Sequence, residues 1–152
     1  FDFDNDMLGR EITEHSLLSN TDDTLAQLDK LRDKGFGIAL DDFGTGYSSL
    51  TYVQKLPIDR LKIDLSFVKM IGKDSKTQEI IKLILELSKS LGLTTIAEGI
   101  ETREQFDFLT QMGCEVGQGY LLSKPLTLER LTSALATTPA VFTHRLASDT
   151  ES

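Results

Sequence analysis

The chain has 152 residues and a formal net charge of −8, with 39% hydrophobic and 26% charged residues. This composition indicates one soluble globular domain, and the acidic balance argues against nucleic acid, which needs a basic face. The sequence contains no secretory signal and no apolar run near the ~20 residues of a membrane helix. Its single cysteine, Cys114, allows no internal disulfide. We therefore expect a cytoplasmic domain without membrane contact, any membrane anchor being carried by upstream segments.

Short apolar runs alternate with helical patterns in the first half of the chain. Residues 8–12 are a strand candidate, and a helix with Leu25, Leu28 and Leu31 on one face follows and stops at Gly35. The pattern then predicts a strand over 36–40, a helix over 47–56 that Pro57 ends, and a strand over 61–64.

The second half continues the alternation. Ser75 is the predicted N-cap of a long helix that Gly92 ends, and a strand over 94–97 follows. Thr102 and Gln105 form a capping-box pattern that opens the next helix. The last predicted elements are a Gly-rich strand over 116–122 and a helix that Thr127 begins; we expect residues 137–152 to be a disordered tail.

Strands alternating with helices predict an α/β fold with a parallel sheet of βαβ units. A closed (β/α)₈ barrel of the TIM type needs eight such units and ~250 residues. The five strand candidates therefore indicate a partial barrel of about five βα units that lacks its N-terminal strands. A doubly wound open sheet is the alternative, although no Gly-x-Gly-x-x-Gly turn enters a helix.

Polar and ionisable residues recur at the downstream ends of the strand candidates, where parallel α/β folds form their reaction face. These residues are Glu11, Asp41, Asp42, Lys62, Asp64, Glu98 and Gln118. Each has a simpler explanation, such as a turn, an ion pair or a favourable helix N-terminus. Those explanations do not predict that the residues recur at every strand end, so the pattern favours a functional site.

The carboxylates of this set suggest the chemistry of that site. Oxygen ligands without His or Cys suit the hard cations Mg²⁺ and Mn²⁺ better than zinc. Two such ions can clamp the attacking and leaving oxygens of a phosphodiester. The set is therefore consistent with phosphodiester hydrolysis, but it does not specify a substrate.

Five motifs recur along the chain at the candidate strand ends and loops. The longest is DDFGTGYSSL, ten consecutive residues over 41–50. The others are EITE at 11–14, LKID at 61–64, AEGIET at 97–102 and GQGY at 117–120. In content and in order these motifs resemble those of EAL-domain phosphodiesterases, which hydrolyse cyclic diguanylate (c-di-GMP). The chain is identified as the C-terminal part of such a domain, with residues 8–136 belonging to it and residues 1–7 unmatched.

The resemblance implies a metal-dependent, cyclic-guanylate-specific hydrolase of bacterial signal transduction that uses Mg²⁺ or Mn²⁺, two ions in the complete domain. Glu11, Asp41, Asp42 and Glu98 would be metal ligands, and Glu98 a ligand or general base. Lys62 and Asp64 would orient water and phosphate, while Gln118 would support the site. Glu14 and Glu101 would hold the loop over 43–49, which borders the family's dimer surface.

Two departures bear on function. The family's Glu-Ala-Leu strand and the next strand, with its metal-binding Asn, have no counterpart in the chain. We therefore expect either a homodimer or pairing with a missing N-terminal half of the domain, because an open sheet exposes apolar surface and unpaired edges. The same departures leave an alternative function open: a catalytically inactive receptor for the dinucleotide, or an interaction module.

Overall fold

The fold is an α/β arrangement around one sheet. A computed structural model describes residues 9–13, 21–44, 53–137 and 144–145 of the chain. Its strands are β1 (Gly9–Thr13), β2 (Gly37–Phe43), β3 (Arg60–Ile63), β4 (Thr94–Ala97), β5 (Val116–Gly117) and β6 (His144–Arg145). Its helices are α1 (Thr21–Asp33), α2 (Leu65–Val68), α3 (Ser75–Leu91), α4 (Arg103–Gln111) and α5 (Leu128–Thr137).

The strands lie in the sheet in the order of the sequence, β1 to β6. β1 to β5 pair in parallel, and β5 pairs with β6 in the antiparallel sense. A doubly wound sheet would reverse its strand order at a switch point, whereas successive strands of a (β/α)₈ barrel are always neighbours. The observed order of the described strands therefore has the topology of a partial barrel, as the sequence predicts.

The core lies where β2 and β3 meet the helices. Ile38, Leu40, Leu61 and Ile63 on these strands are fully buried, as expected for parallel strands covered on both faces. The helices contribute further buried side chains, among them Leu28 of α1, Ile81 and Ile84 of α3, and Leu109 of α4. This packing fixes the central strands from which the candidate site is built.

Helix boundaries follow the predicted signals with one correction. Thr102 and Gln105 form the predicted capping box, and Gly92 ends α3 in the left-handed conformation. The N-cap of α3 is Asp74 rather than Ser75, because the Asp74 carboxylate accepts hydrogen bonds from the amides of Lys76 and Thr77. Aspartate and serine are equally good caps, so adjacent candidates cannot be separated by type alone.

Two predictions near the C-terminus need correction. The strand predicted over 116–122 is only Val116–Gly117, because the amides of Leu122 and Ser123 donate to the Gly119 carbonyl and turn the chain. Within the tail predicted to be disordered, His144–Arg145 pairs with β5. This strand forms through its contact with β5, which is distant in the sequence, so the local sequence has no periodic pattern that would predict it.

Some predictions lie outside the described residues. Leu8, most of the helix predicted over 47–56, and residues 1–7 belong to this group. In the part of the chain that is described, no helix is long and apolar enough to cross a membrane.

The single thiol is structural. Cys114 is fully buried, and burial, the largest influence, raises its pKa to about 11. A nucleophilic cysteine needs a lowered pKa, so the environment of Cys114 does not activate it.

Candidate active site

The candidate site is centred on the ammonium group of Lys62. The Lys62 side chain is only 5% exposed and forms ion pairs with carboxylates from three other segments. Its Nζ lies 2.8 Å from Oε1 of Glu11, 3.3 Å from Oδ2 of Asp41 and 2.6 Å from Oε1 of Glu98. Four residues predicted for the site from separate strand candidates are therefore in direct contact.

The register of the sheet explains how Glu11, Asp41 and Lys62 meet. Glu11 pairs with Ala39, and Ala39 pairs with Arg60. Asp41 lies two residues beyond Ala39, and Lys62 lies two residues beyond Arg60. Side chains two residues apart on a strand point to the same face, so Glu11, Asp41 and Lys62 share one face of the sheet. Glu11 lies in the middle of β1 rather than at its end, so the prediction that it closes the strand is wrong. Its longer side chain nevertheless reaches Lys62.

The fourth group, Glu98, joins from the other side of β3. Lys62 pairs with Ile96, and Glu98 lies two residues further along, directly after β4. The Glu98 amide donates to the Ile63 carbonyl at 3.1 Å, which continues the parallel ladder one residue past the strand. The backbone of Glu98 is thus fixed by the sheet, and its side chain is only 18% exposed.

Electrostatics favour the charged form of Lys62. Burial alone would lower its pKa and is the largest single influence. Hydrogen bonds to Glu11 and Glu98, together with the charges of Glu98 and Asp41, outweigh burial and raise the pKa above the ordinary value. The site therefore holds a fixed positive charge among three carboxylates.

A β-bulge lies at Asp41 and Asp42. The pairing of β2 with β3 shifts between Leu40 and Phe43, and Asp42 has a φ of 57°. Non-glycine residues adopt this left-handed conformation rarely, aspartate more readily than most, and such outliers cluster at functional sites. The Asp42 amide donates to Oδ1 of Asp41 at 3.0 Å, so each carboxylate oxygen of Asp41 has a partner.

The remaining predicted residues lie outside this cluster. Asp64 is the N-cap of α2, and its Oδ1 accepts from the Ser66 amide at 2.9 Å. Gln118 is exposed. Its backbone amide donates to the Ala97 carbonyl, and its backbone carbonyl accepts from the Ile100 amide. Glu101 is exposed, and its amide donates to Oε1 of Gln105 at 2.8 Å. Glu14 and residues 45–49 lie outside the described residues.

Helix α2 is the part of the site that the sequence patterns missed. It is only four residues long, too short for apolar periodicity to identify. Its one local signal in the sequence is Asp64, since aspartate favours the N-cap position.

The acidic residues fit a hard divalent cation by ligand type. Carboxylate oxygens are the preferred protein ligands of Mg²⁺ and Mn²⁺. Within residues 9–13, 21–44, 53–137 and 144–145, however, no three His, Cys, Asp or Glu side chains are placed to share one metal ion. In this arrangement Glu11, Asp41 and Glu98 converge on the Lys62 ammonium instead.

Replacing Lys62 tests the cluster. We expect Lys62→Met to lower the free energy of unfolding by about 2 kcal/mol or more, because it leaves Asp41 and Glu98 largely buried without a countercharge. The value is at the low end for a buried ion pair because the side chain of Glu11 is 56% exposed. Urea unfolding followed by circular dichroism measures the change.

Lys82→Met is the matched control for that measurement. Lys82 is 38% exposed and, among the described residues, forms one ion pair, with Glu79 at 2.7 Å. Its loss should therefore change stability by less than about 0.5 kcal/mol. Equal effects of the two substitutions would contradict a special role for Lys62.

Comparison with known proteins gives the family. The family described as "EAL domain" matches residues 3–125. The cyclic di-GMP phosphodiesterase NbdA of Pseudomonas aeruginosa is 46% identical over 121 residues, which is 80% of this chain and 16% of NbdA. The chain therefore spans about a sixth of that relative.

Solved structures agree with this match. The PaMucR phosphodiesterase in complex with c-di-GMP has a TM-score of 0.80 and 42% identity, covering 84% of this chain and 52% of that one. The manganese and c-di-GMP complex of Klebsiella pneumoniae BlrP1 at pH 9.0 has a TM-score of 0.75 and 33% identity, covering 81% and 31%. EAL domains are TIM barrels, so the predicted partial barrel is confirmed. This chain belongs to the EAL domain family.

Proposed function

We propose that the chain is part of a bacterial cytoplasmic phosphodiesterase that hydrolyses c-di-GMP to the linear dinucleotide pGpG. The observation that carries the proposal is the convergence of Glu11, Asp41 and Glu98 on buried Lys62. Family membership supports the substrate, since relatives carry the name of this activity and solved relatives contain the dinucleotide.

The proposed reaction adds water to one phosphorus of the cyclic dinucleotide. The new P–O bond forms as the bond from phosphorus to a ribose 3′ oxygen breaks, and that oxygen takes up a proton. Glu98 is positioned to accept the proton of the attacking water, because the sheet holds its backbone and Lys62 orients its carboxylate at 2.6 Å. The Lys62 ammonium adds fixed positive charge beside the phosphate oxygens.

Divalent cations belong to this proposal. We propose that Glu11, Asp41, Asp42 and Glu98 hold Mg²⁺ or Mn²⁺, two ions in the complete domain. Bound there, such ions neutralise phosphate charge and lower the pKa of the attacking water. The manganese in the BlrP1 complex supports divalent metal use in the family. Because three of these carboxylates contact Lys62, cation binding requires them to divide their oxygens between the ammonium and the ions.

The other predicted residues have supporting roles in this proposal. Asp64 follows the strand of Lys62 and has one carboxylate oxygen committed to the α2 cap, which leaves the other for water or phosphate. Gln118 lies after β5, beside the backbone of Ile100, and would support the substrate side. Glu14 and Glu101 would hold the loop over 43–49.

A catalytically inactive receptor is the second candidate. Its supporting observation is that three of the carboxylates proposed to bind metal already form ion pairs with Lys62. A receptor needs positive charge for the phosphates but no general base. Hydrolysis and binding must therefore be measured separately.

Replacing Glu98 separates these two functions. We expect the chain to convert c-di-GMP to pGpG with Mn²⁺, followed by chromatography, and Glu98→Gln to lower the rate by about a hundredfold or more, as for loss of a general base. Binding of c-di-GMP in Ca²⁺ should change less than about tenfold, since a neutral isostere keeps the shape of the site.

Glu129→Gln, at an exposed position of α5, is the control and should retain the wild-type rate. Hydrolysis by Glu98→Gln at near the wild-type rate would contradict the role of Glu98. Binding without hydrolysis by the wild-type chain would favour the receptor.

We also propose that another polypeptide segment covers this fold, either a second copy or the missing half of the domain. In the described residues β1 pairs only with β2 and forms one edge of the sheet. Leu83 of α3 and Leu128 of α5 are 63% and 78% exposed. An open parallel edge and exposed large apolar side chains both favour association.

Sedimentation at low micromolar concentration tests the association. We expect dimers or larger species that dissociate on dilution with a loss of cooperative unfolding. A monomer that unfolds cooperatively at every concentration would contradict the proposed partner.

A further inference from the structure

The four-residue helix α2 lies between the two acidic segments that flank Lys62. It begins directly after Asp64, two residues beyond Lys62 on β3. One of its side chains contacts the segment after β2, and another contacts the segment after β4. Helix α2 therefore links the backbone on both sides of the Lys62 cluster.

Phe67 makes the contact on the β2 side. Gly44 follows Asp42 by two residues and has a φ of 92°. A Cβ atom on Gly44 would lie 3.2 Å from Cζ and 3.3 Å from Cε2 of Phe67, and 3.5 Å from Cδ1 of Ile84. The Phe67 ring thus rests against the backbone at a point where a side chain would be too close. This contact supports the chain immediately after the bulge at Asp41 and Asp42.

Leu65 makes the corresponding contact on the β4 side. Gly99 directly follows Glu98 and has a φ of 71°. A Cβ atom on Gly99 would lie 2.8 Å from Cβ of Leu65, nearer than such atoms approach in proteins. Leu65 is also 39% exposed, so burial in the core does not account for its position.

We propose that Leu65 and Phe67 are positioning residues of the active site, which set the places of Glu98 and Asp42 relative to Lys62 by packing against Gly99 and Gly44. The proposal rests on the proposed function for its catalytic meaning, but its structural content stands without it. Because the two glycines have no side chain, Leu65 and Phe67 pack directly on the backbone, and no rotamer change at the glycine positions alters the spacing. Sites that act on a bound group need such support, because misplacement of about 1 Å costs activity.

Double-mutant cycles test each contact separately. Gly99→Ala is combined with Leu65→Gly, and Gly44→Ala with Phe67→Leu, which removes the ring atoms near Gly44. The backbone strain of alanine at positive φ is common to single and double variants and cancels in the cycle. What remains is the coupling between the two partners.

Local hydrogen exchange is the first measurement, because it requires no activity. We expect Gly99→Ala to speed exchange of the Glu98 amide by about threefold or more, with rescue by Leu65→Gly and no change at Asp42. Gly44→Ala should likewise speed exchange of the Asp42 amide by about threefold or more, without changing exchange at Glu98. Phe67→Leu should restore the slow exchange at Asp42. A purely structural role would instead accelerate both amides together, in step with global stability.

In the matched controls, a residue of similar exposure or type is mutated in place of Leu65 or Phe67. Met70 is 39% exposed, as is Leu65, and Phe106 is a partly buried aromatic residue of α4. Met70→Gly should not rescue Gly99→Ala, and Phe106→Leu should not rescue Gly44→Ala. Rescue by either control, or no rescue by the proposed partners, would overturn the positioning role.

Hydrolysis of c-di-GMP with Mn²⁺ supplies the second readout. At saturating Mn²⁺ we expect Leu65→Gly and Phe67→Leu to lower kcat by about tenfold while KM for c-di-GMP changes less than about threefold. In the proposed function Glu98 and Asp42 act on the attacking water and hold metal ions rather than bind the dinucleotide. If the wild-type chain does not hydrolyse c-di-GMP, the proposed function fails, and the exchange cycles still decide whether Leu65 and Phe67 position the two acidic segments. A fall in kcat without selective exchange at Glu98 or Asp42 would contradict the mechanism proposed here.

Discussion

The buried ammonium group of Lys62 is the interaction on which the site depends. A charged side chain that is 5% exposed is stable only with close countercharges. Glu11, Asp41 and Glu98 provide them at 2.6 to 3.3 Å, and each comes from a different segment of the chain. Satisfying one lysine therefore brings β1, β2, β3 and the end of β4 to a common point. The register of the sheet places these residues side by side, and the ion pairs then stabilise the buried ammonium group.

The chain also departs from regular geometry beside the site. Both aspartates of β2 lie at a bulge, where Asp42 takes a left-handed conformation. Helix α2 begins immediately after the strand of Lys62, and its side chains pack on Gly44 and Gly99. The acidic segments that contain Asp42 and Glu98 are thus each packed against a side chain of α2. We infer that the left-handed conformation of Asp42 is maintained because the surrounding ion pairs and packing contacts disfavour other backbone conformations.

Much of this architecture was predictable from sequence because its signals are local or periodic. Apolar runs marked β2, β3 and β4, and the capping box at Thr102 marked the start of α4. Parallel topology then predicts that the polar strand ends meet. Glu11, Asp41, Lys62 and Glu98 of that set are in contact, whereas Asp64 and Gln118 lie outside the cluster. The details that depend on tertiary contacts were not predictable. The two-residue strand at His144–Arg145 has no periodic signature. The four-residue helix α2 is too short for one, and the N-cap aspartate Asp64 is its only local signal.

The most direct test of the account is a crystal structure of the protein grown with Mn²⁺ and c-di-GMP, using anomalous diffraction to locate the metal. The account predicts anomalous peaks within about 2.5 Å of carboxylate oxygens of Asp41 and Glu98, near the distances typical of oxygen ligands. It also predicts a phosphate of c-di-GMP, or of its hydrolysis product pGpG, beside Lys62. Metal or dinucleotide bound away from these three residues would contradict the claim that the Lys62 cluster is the active site.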